Sequence, residues 1–300
     1  MKRLKIVGIG EIVWDEFNGV FVLGGAPLNF AHFARQLGAK TYIIAAIGKD
    51  ELGEKALKKI SELDVDQSGI QRNDLPTGVV HAEQIPGSDD VVYDIYENVA
   101  WDALEFDPRY EAVLQDADAI CWGSLAQRTA AAHSHIMKIL DCAPATCMKV
   151  FDINLRQHYY SREVIEKSLE KANVLKLNEG EVMKIAELLE MPDPDAPQNT
   201  IMALIDKYDL KYVVYTLGSS RSEIYSADGL LSMIPTPKVE NFVDAVGAGD
   251  SFTASFVTSM LQGKDVRLSH KIAVEVAAFV CTQKGAINPI PDSLLDNLNL

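Results

Sequence analysis

Asp250 stands directly behind two glycines, in the run Asp244-Ala245-Val246-Gly247-Ala248-Gly249-Asp250, and the apolar stretch Ser251 to Leu261 follows at once. Glycines on either side of an alanine let the backbone turn its N–H groups toward one point. A helix opening behind them adds the positive end of its dipole. Such a turn holds anions, and the sequence predicts that Gly247, Ala248 and Gly249 form one. A carboxylate in the first turn of that helix would lie beside any phosphoryl group held there, placed to accept a proton from an attacking hydroxyl. Asp250 is that carboxylate. Read without its neighbours, the run is also an ordinary glycine turn followed by a first-turn acid, which helices favour anyway.

A second glycine pair, Gly24-Gly25, opens a segment of helical spacing that runs to Leu37 and stops at Gly38. Asn29, near its start, offers both a donor and an acceptor to paired hydroxyls, or serves as a helix cap. The two glycines let backbone approach a ligand closely. Farther along, Asn178-Glu179-Gly180-Glu181 follows an apolar run, and Asn with Glu three residues on is by itself a capping pattern.

The elements that must carry these residues alternate. Leu4 to Gly10, Thr41 to Ile47, Ala117 to Trp122, Lys149 to Ile153, Asn173 to Leu177 and Lys211 to Thr216 read as buried strands, separated by helical segments such as Asp50 to Leu63. That rhythm predicts an α/β fold with a mostly parallel sheet flanked by helices, and ligands at the carboxyl ends of the strands. Two regions depart from it. Glu11 to Phe17 with Val20 to Leu23, and Gly78 to Ile85 with Val91 to Glu97 around Pro86 to Asp90, alternate with period two. They predict a small β-sheet lid over 11–23 and 77–99, the main domain being 1–10, 24–76 and 100–300. Met191 to Thr200 reads as a surface loop.

Composition sets the class. The 300 residues, 48% apolar and 24% charged, suit a soluble globular protein with a sizeable core. A net charge of −15, from 28 basic and 43 acidic residues, disfavours nucleic acid and acidic membranes as partners. Cys121, Cys142, Cys147 and Cys281 show no paired spacing, the apolar run near the N-terminus is broken at Glu11, and no stretch approaches a membrane span. A cytoplasmic protein with reduced thiols is the expectation. No G-x-x-x-x-G-K-[ST] occurs, and Gly8-Ile9-Gly10 has Val13 where a dinucleotide fingerprint needs glycine. His133 and His135, two apart in a helical segment, point to different faces and predict no metal site.

With the rhythm, the lid and the GAGD helix together, the chain resembles the ribokinase-like, or phosphofructokinase-B, sugar kinases, and within them the fructokinases. Gly24-Gly25-Ala26-Pro27-Leu28-Asn29 is similar to the first family signature and Asp244 to Asp250 to the second. The resemblance implies ATP and Mg²⁺ as cofactors and a sugar as acceptor. It implies that Asp15, in Gly10-Glu11 to Asp15, binds sugar hydroxyls with Gly24, Gly25, Asn29 and Asp250, and that Arg156 of Asp152-x-Asn154-x-Arg156 approaches the transferred phosphoryl. A planar guanidinium suits that spread charge. It gives Asn178 and Glu181 a second role, organising Mg²⁺ and phosphates through water. Thr216-Leu217-Gly218 becomes a nucleotide loop, although Arg221 stands where a further glycine is usual and could instead meet phosphate. Val274, Ala277 and Gly285 become walls of an adenine cleft, and Asp244 with the Val246 carbonyl a K⁺ site, although Ala245 replaces the usual Thr.

Two expectations concern partners. Val91, Tyr93 and Ile95 alternate with Val92, Asp94 and Tyr96, so both faces of the hairpin carry apolar groups and a homodimer through the lid would cover one. Between Arg72 and Arg109 there is no Lys or Arg, while Glu83, Asp89, Asp90, Asp94, Glu97, Asp102 and Glu105 make the region acidic. Neutral sugars are therefore expected over anionic acceptors, although Arg156 could compensate from the main domain, and the resemblance to fructokinases puts fructose first.

Overall fold

A computed structural model describes residues 3–84, 91–191 and 196–298. Runs of Val, Ile, Ala and Leu build the centre of the main sheet. Lys5–Ile9 (β1), Lys40–Gly48 (β4), Ala119–Trp122 (β8), Met148–Asp152 (β9), Val174–Asn178 (β10) and Tyr212–Leu217 (β11) run parallel and are largely buried. Apolar residues on both faces are what a sheet covered twice requires. Ile70–Asn73 (β5) adds beside β4, and the antiparallel pair Arg221–Ser226 (β12) and Gly229–Pro235 (β13) finishes the other edge. The order is β13-β12-β11-β10-β9-β8-β1-β4-β5, so β8 to β13 lie side by side in chain order.

Alternation along each strand feeds two cores. Val7, Ile9, Ile120, Trp122 and Phe151 point to one face, where Ala130–Asp141 (α4), Arg162–Lys171 (α5), Glu179–Leu188 (α6) and Pro197–Tyr208 (α7) cover them. Arg109–Leu114 (α3) seals the same side through Tyr110 and Leu114. Ile6, Ala119, Cys121 and Val150 point the other way, onto Ala26–Gln36 (α1), Ala248–Leu261 (α8) and Val266–Val280 (α9). Ser251, Thr253, Ser255, Thr258 and Ser259 are all buried on α8. Such small side chains let the helix lie close to both neighbours. Glu51–Glu62 (α2) caps a third cluster around Ile43 and Ile47, and Asp292–Asn297 (α10) ends the described chain.

The second sheet has the order β3-β2-β6-β7, built from Val13–Phe17 (β2), Val20–Gly24 (β3), Gly78–Gln84 (β6) and Val91–Ile95 (β7). Asn18 and Gly19 both have positive φ, 52° and 79°, the two-residue turn that matches the twist of a hairpin. Asp15 is opposite Val22 on one side and Val80 on the other, so these three share a face. Ile85 and the turn 86–90 lie outside the described residues, as do Asp89, Asp90 and the side chains of Glu83 and Val91 to Tyr93.

The sequence reading needs correction at three places. Met191 to Thr200 is not all loop: α7 begins at Pro197, because a helix's first position has no use for the N–H that proline lacks. The residues 192–195 are outside the described set. The β12 and β13 hairpin and β5 were also not anticipated: β5 and β13 are edge strands, and the polar residues of Arg221–Ser226 blur its apolar run.

Candidate active site

Gly247 caps α8 with φ 80°, a left-handed conformation, and a Cβ there would lie 2.8 Å from Cα and Cβ of Ala286. Only glycine fits both the dihedral and the space. Ala248 and Gly249 then start the helix, and a Cβ on Gly249 would meet Lys176 Nζ at 3.2 Å. Asp250 is held by Asn29, whose Nδ2 donates to Asp250 Oδ2 over 2.7 Å. Burial and the neighbouring Asp152 carboxylate push Asp250 up to about 6, while Asn29, Lys176 and Arg156 pull it back. The glycine turn and the carboxylate expected to act as base are thus adjacent, with α1 holding Asp250 from across the molecule; of the three N–H groups expected to face an anion, that of Ala248 is instead donated to Ala245 O at 3.2 Å, closing the turn.

Behind this turn stands a buried ion pair that sequence reading missed as a unit. Lys176 Nζ on β10 lies 3.1 Å from Asp152 Oδ1 on β9, the two residues being in register on adjacent strands. Burial pushes the Lys176 ammonium down, but the Asp152, Glu181 and Asp250 carboxylates outweigh it and hold Lys176 above its ordinary range. The Thr253 hydroxyl, one turn into α8, lies 3.0 Å from Gly249 O and 3.2 Å from Asp152 Oδ2. A signal for Lys176 was present: a lysine in the middle of a buried parallel strand needs a countercharge, and Asp152 is at the same level.

Asn178 and Glu181 form a complete capping box. Asn178 Oδ1 accepts from Glu181 N–H at 2.9 Å, and Glu181 Oε2 from Asn178 N–H at 2.8 Å. The other oxygen, Oε1, accepts from Leu155 N–H at 3.0 Å and so ties the Asp152 to Arg156 loop to α6. Asn154 and Gln157 in that loop have positive φ, 45° and 46°. Arg156 is exposed at its tip and makes no ion pair among the described residues, yet its charge acts on Glu11, Asp15 and Asp250.

On the lid side, Asp15 is half-buried and pushed up to about 6 by burial, against the pull of Arg156. A Cβ on Gly24 would lie 3.0 Å from Asp15 Oδ2, and one on Gly25 (φ 115°) would lie 2.4 Å from Glu11 O. Glu11, buried at the start of this segment, is raised to about 7, chiefly by burial. Glu11 Oε2 and Asn29 Oδ1 are both buried without a partner. Orphaned acceptors in one small region fit a ligand rich in hydroxyls.

The remaining candidates sit farther out. Thr216 is opposite Asn178 in the sheet, and Gly218 (φ 49°) ends β11, its carbonyl accepting from Thr236 Oγ1 at 2.9 Å. Arg221 donates through Nε to Glu223 Oε1 at 2.6 Å. Val274 and Ala277 pack in the core of their face, and Val274 also lines an open cleft of about 700 Å³ with Pro235, Pro237 and Lys271. Each Asp244 oxygen serves a backbone N–H, Val246 at 2.8 Å and Gly285 at 3.0 Å, so the carboxylate first ties two loops together. Among the described residues no cluster of three metal-ligating side chains occurs. His133 and His135 have separate partners, Gln127 Oε1 and the Phe106 N–H.

Known proteins share both the architecture and its span. The chain is 27% identical over 282 residues to a sugar kinase of Pyrococcus horikoshii, covering 91% of this chain and 85% of that protein. It is 22% identical over 308 residues to the ATP-dependent 6-phosphofructokinase of Thermoanaerobacterium thermosaccharolyticum, covering 97% and 92%. A fructokinase from Xylella fastidiosa solved with bound ATP superposes with a TM-score of 0.83 at 21% identity, over 99% of each chain. The model for the pfkB family carbohydrate kinases matches residues 4–293, a range that takes in the lid, the Asn29 helix and the Asp250 turn. With nearly the whole chain inside that match, this protein belongs to the pfkB family of carbohydrate kinases.

Proposed function

We propose that the chain transfers the γ-phosphoryl of ATP to a primary hydroxyl of a small neutral sugar, fructose first, giving fructose 6-phosphate. The observation that carries the reading is the juxtaposition of Asp250, fixed by Asn29 at 2.7 Å, with the glycine turn that opens α8 at Gly247. Asp250 takes the hydroxyl proton as the new O–P bond forms. The Gly247 and Gly249 N–H groups and the dipole of α8 stabilise the charge spreading over the phosphoryl oxygens, with Arg156 approaching from its loop; the Ala248 N–H is spent on Ala245 O at 3.2 Å. Lys176 supports the turn from below. Asp15, Asn29 and the backbone at Gly24 and Gly25 orient the sugar, and the small sheet excludes water as a competing acceptor.

Mg²⁺, when bound with ATP, would neutralise phosphate charge; Asp152 and Glu181 are the carboxylates facing that region. Both Glu181 oxygens accept backbone N–H groups, so it would act through water, as suits an ion that keeps much of its hydration. Thr216, Gly218, Val274, Ala277 and Gly285 would hold the nucleotide. Lone pairs left on Asp244, with the Val246 carbonyl, support K⁺ as an activator, tested by exchanging KCl for choline chloride.

The test of acceptor class is ADP release with fructose, ribose, adenosine, 2-keto-3-deoxygluconate, fructose 1-phosphate and fructose 6-phosphate under identical ATP and Mg²⁺. The reading predicts the highest kcat/KM for fructose, because Asp15 and the acidic residues Asp94, Glu97 and Glu105 of the lid region repel an anion. An anionic acceptor tenfold better than fructose would overturn the neutral-sugar assignment; Arg156, exposed and without an ion pair, is the observation that favours that second reading. No ADP release above the Asp250→Asn background with any acceptor would overturn phosphoryl transfer itself.

A further inference from the structure

Asn29, His32 and Gln36 are spaced three and four apart on α1 and so share one face of the helix, Gln36 about 10 Å along the axis from Asn29. Asn29 reaches Asp250. The other two reach the segment that leaves α9. Gln36 Nε2 donates to Asn288 O at 3.1 Å, and Gln36 Oε1 accepts from Ile290 N–H at 2.5 Å. These two backbone groups decide which end of the amide is which. His32 Nε2 stands 2.9 Å from Gln36 Nε2 and 3.3 Å from Asn288 O, so the imidazole packs against the same amide and carbonyl. Burial holds His32 below its ordinary range, against the pull of the Asn288 carbonyl.

The segment they hold leads back to the anion hole. Asn288 Nδ2 donates to Gly285 O at 2.5 Å, Gly285 N–H donates to Asp244, and Ala286 lies against Gly247. The contacts close a ring: the Gly247 to Asp250 turn, α1 from Asn29 to Gln36, and 285–290 back to Gly247. Neither His32 nor Gln36 is used by the chemistry, yet a donor and an acceptor on Gln36 are both spent on backbone that no regular element supports.

We propose that Gln36, backed by His32, is a positioning residue that sets the nucleotide side of the anion hole from the helix that carries the sugar-side Asn29. The proposal rests on the kinase reading above. Because Gln36 acts on the loop and touches no reacting group, its loss alters affinity for ATP more than turnover.

Gln36→Glu keeps the shape and puts an acceptor against Asn288 O; Gln36→Leu removes both bonds and serves if the glutamate variant fails to fold. The expected result is an increase of about tenfold in the Kd of Mg²⁺-AMP-PNP by calorimetry, the worth of one or two such bonds, with KM for ATP rising in step. At saturating ATP kcat stays within about twofold of wild type, and the Ile290 amide exchanges hydrogen at least about tenfold faster. Unchanged AMP-PNP affinity in a variant whose Ile290 exchange is raised overturns the proposal. So does a fall in kcat larger than the rise in ATP KM, which would place Gln36 in the chemistry through Asn29. Wild-type protein that binds no AMP-PNP overturns the kinase reading instead, and this proposal with it.

Discussion

Burial lifts Asp250 to about 6, so its carboxylate is ionised at neutral pH and protonated in mild acid. A base must be ionised to accept a proton; kcat/KM is therefore expected to fall about tenfold per unit below pH 6, and a pH profile of the free enzyme checks it. Asp250→Asn keeps the shape and removes the basicity, and kcat should drop by about 10² to 10⁴. A variant retaining half its turnover would take Asp250 out of the mechanism. Glu11 gives a different sign. Its folded value near 7 lies above the ordinary 4.5, so the native state holds the proton more tightly and stability declines as pH rises from 4.5 through 7. Glu11→Gln should thus raise Tm at pH 8, by at most ~3 kcal/mol of stability, and leave it unchanged at pH 4. Equal shifts at both pH values would show that ionisation is not the cause. At this scale legibility followed chemistry with a local pattern. Asp250, Asn29 and Glu181 sit in short runs whose meaning is nearly complete. Lys176 does not, because its reason for being buried lies on the adjacent strand.

The small sheet is tied to the main body at the exit of β7. Arg128 lies between the rings of Trp101 (4.0 Å) and Tyr159 (4.7 Å), and its Nε and Nη2 bond the two oxygens of Asp102 at 2.6 and 2.7 Å. The same Nη2 donates to Tyr96 O at 2.5 Å, while the Tyr159 hydroxyl donates to Ile95 O at 3.2 Å. Both Arg128 and Asp102 are buried, so removing one leaves the other charge without a partner. Arg128→Ala should cost about 3 to 5 kcal/mol in urea unfolding, and Arg128→Lys should recover little, since an ammonium cannot make the planar two-ring stack. Wild-type stability in both would mean the stack carries no weight. At the element scale the sequence showed the parallel strands, α1, α8 and the lid hairpins, because each keeps one period over its length. The edge strands β5 and β13 stayed hidden, their pattern diluted where only one side of the strand is paired, and β12, paired on both sides, was hidden by its Arg, Ser and Glu residues. The Arg128 tie was invisible for another reason: its partners, Tyr96, Trp101, Asp102 and Tyr159, are far from it in sequence and meet only in the fold.

The whole molecule exposes Phe17, Val20 and Val22 on the face of the small sheet that carries Asp15, and Phe21 on its other face, between 36% and 57% of each. This patch supports the inference of a homodimer through the lid. Light scattering at micromolar concentration should give twice the chain mass of 33.0 kDa; a monomer there would count against it. No described helix is long and apolar enough to cross a membrane. The order of strands has a consequence for biosynthesis. On a ribosome β8 to β13 can each dock beside the strand before it, whereas α1 emerges early with Phe30 and Phe33 uncovered and must wait for α8. The Asn29 to Asp250 bond spans 221 residues and can form only after that last docking. Competence for catalysis is thus the final property the nascent chain acquires, and chains arrested before α8 leave a greasy helix for chaperones to hold.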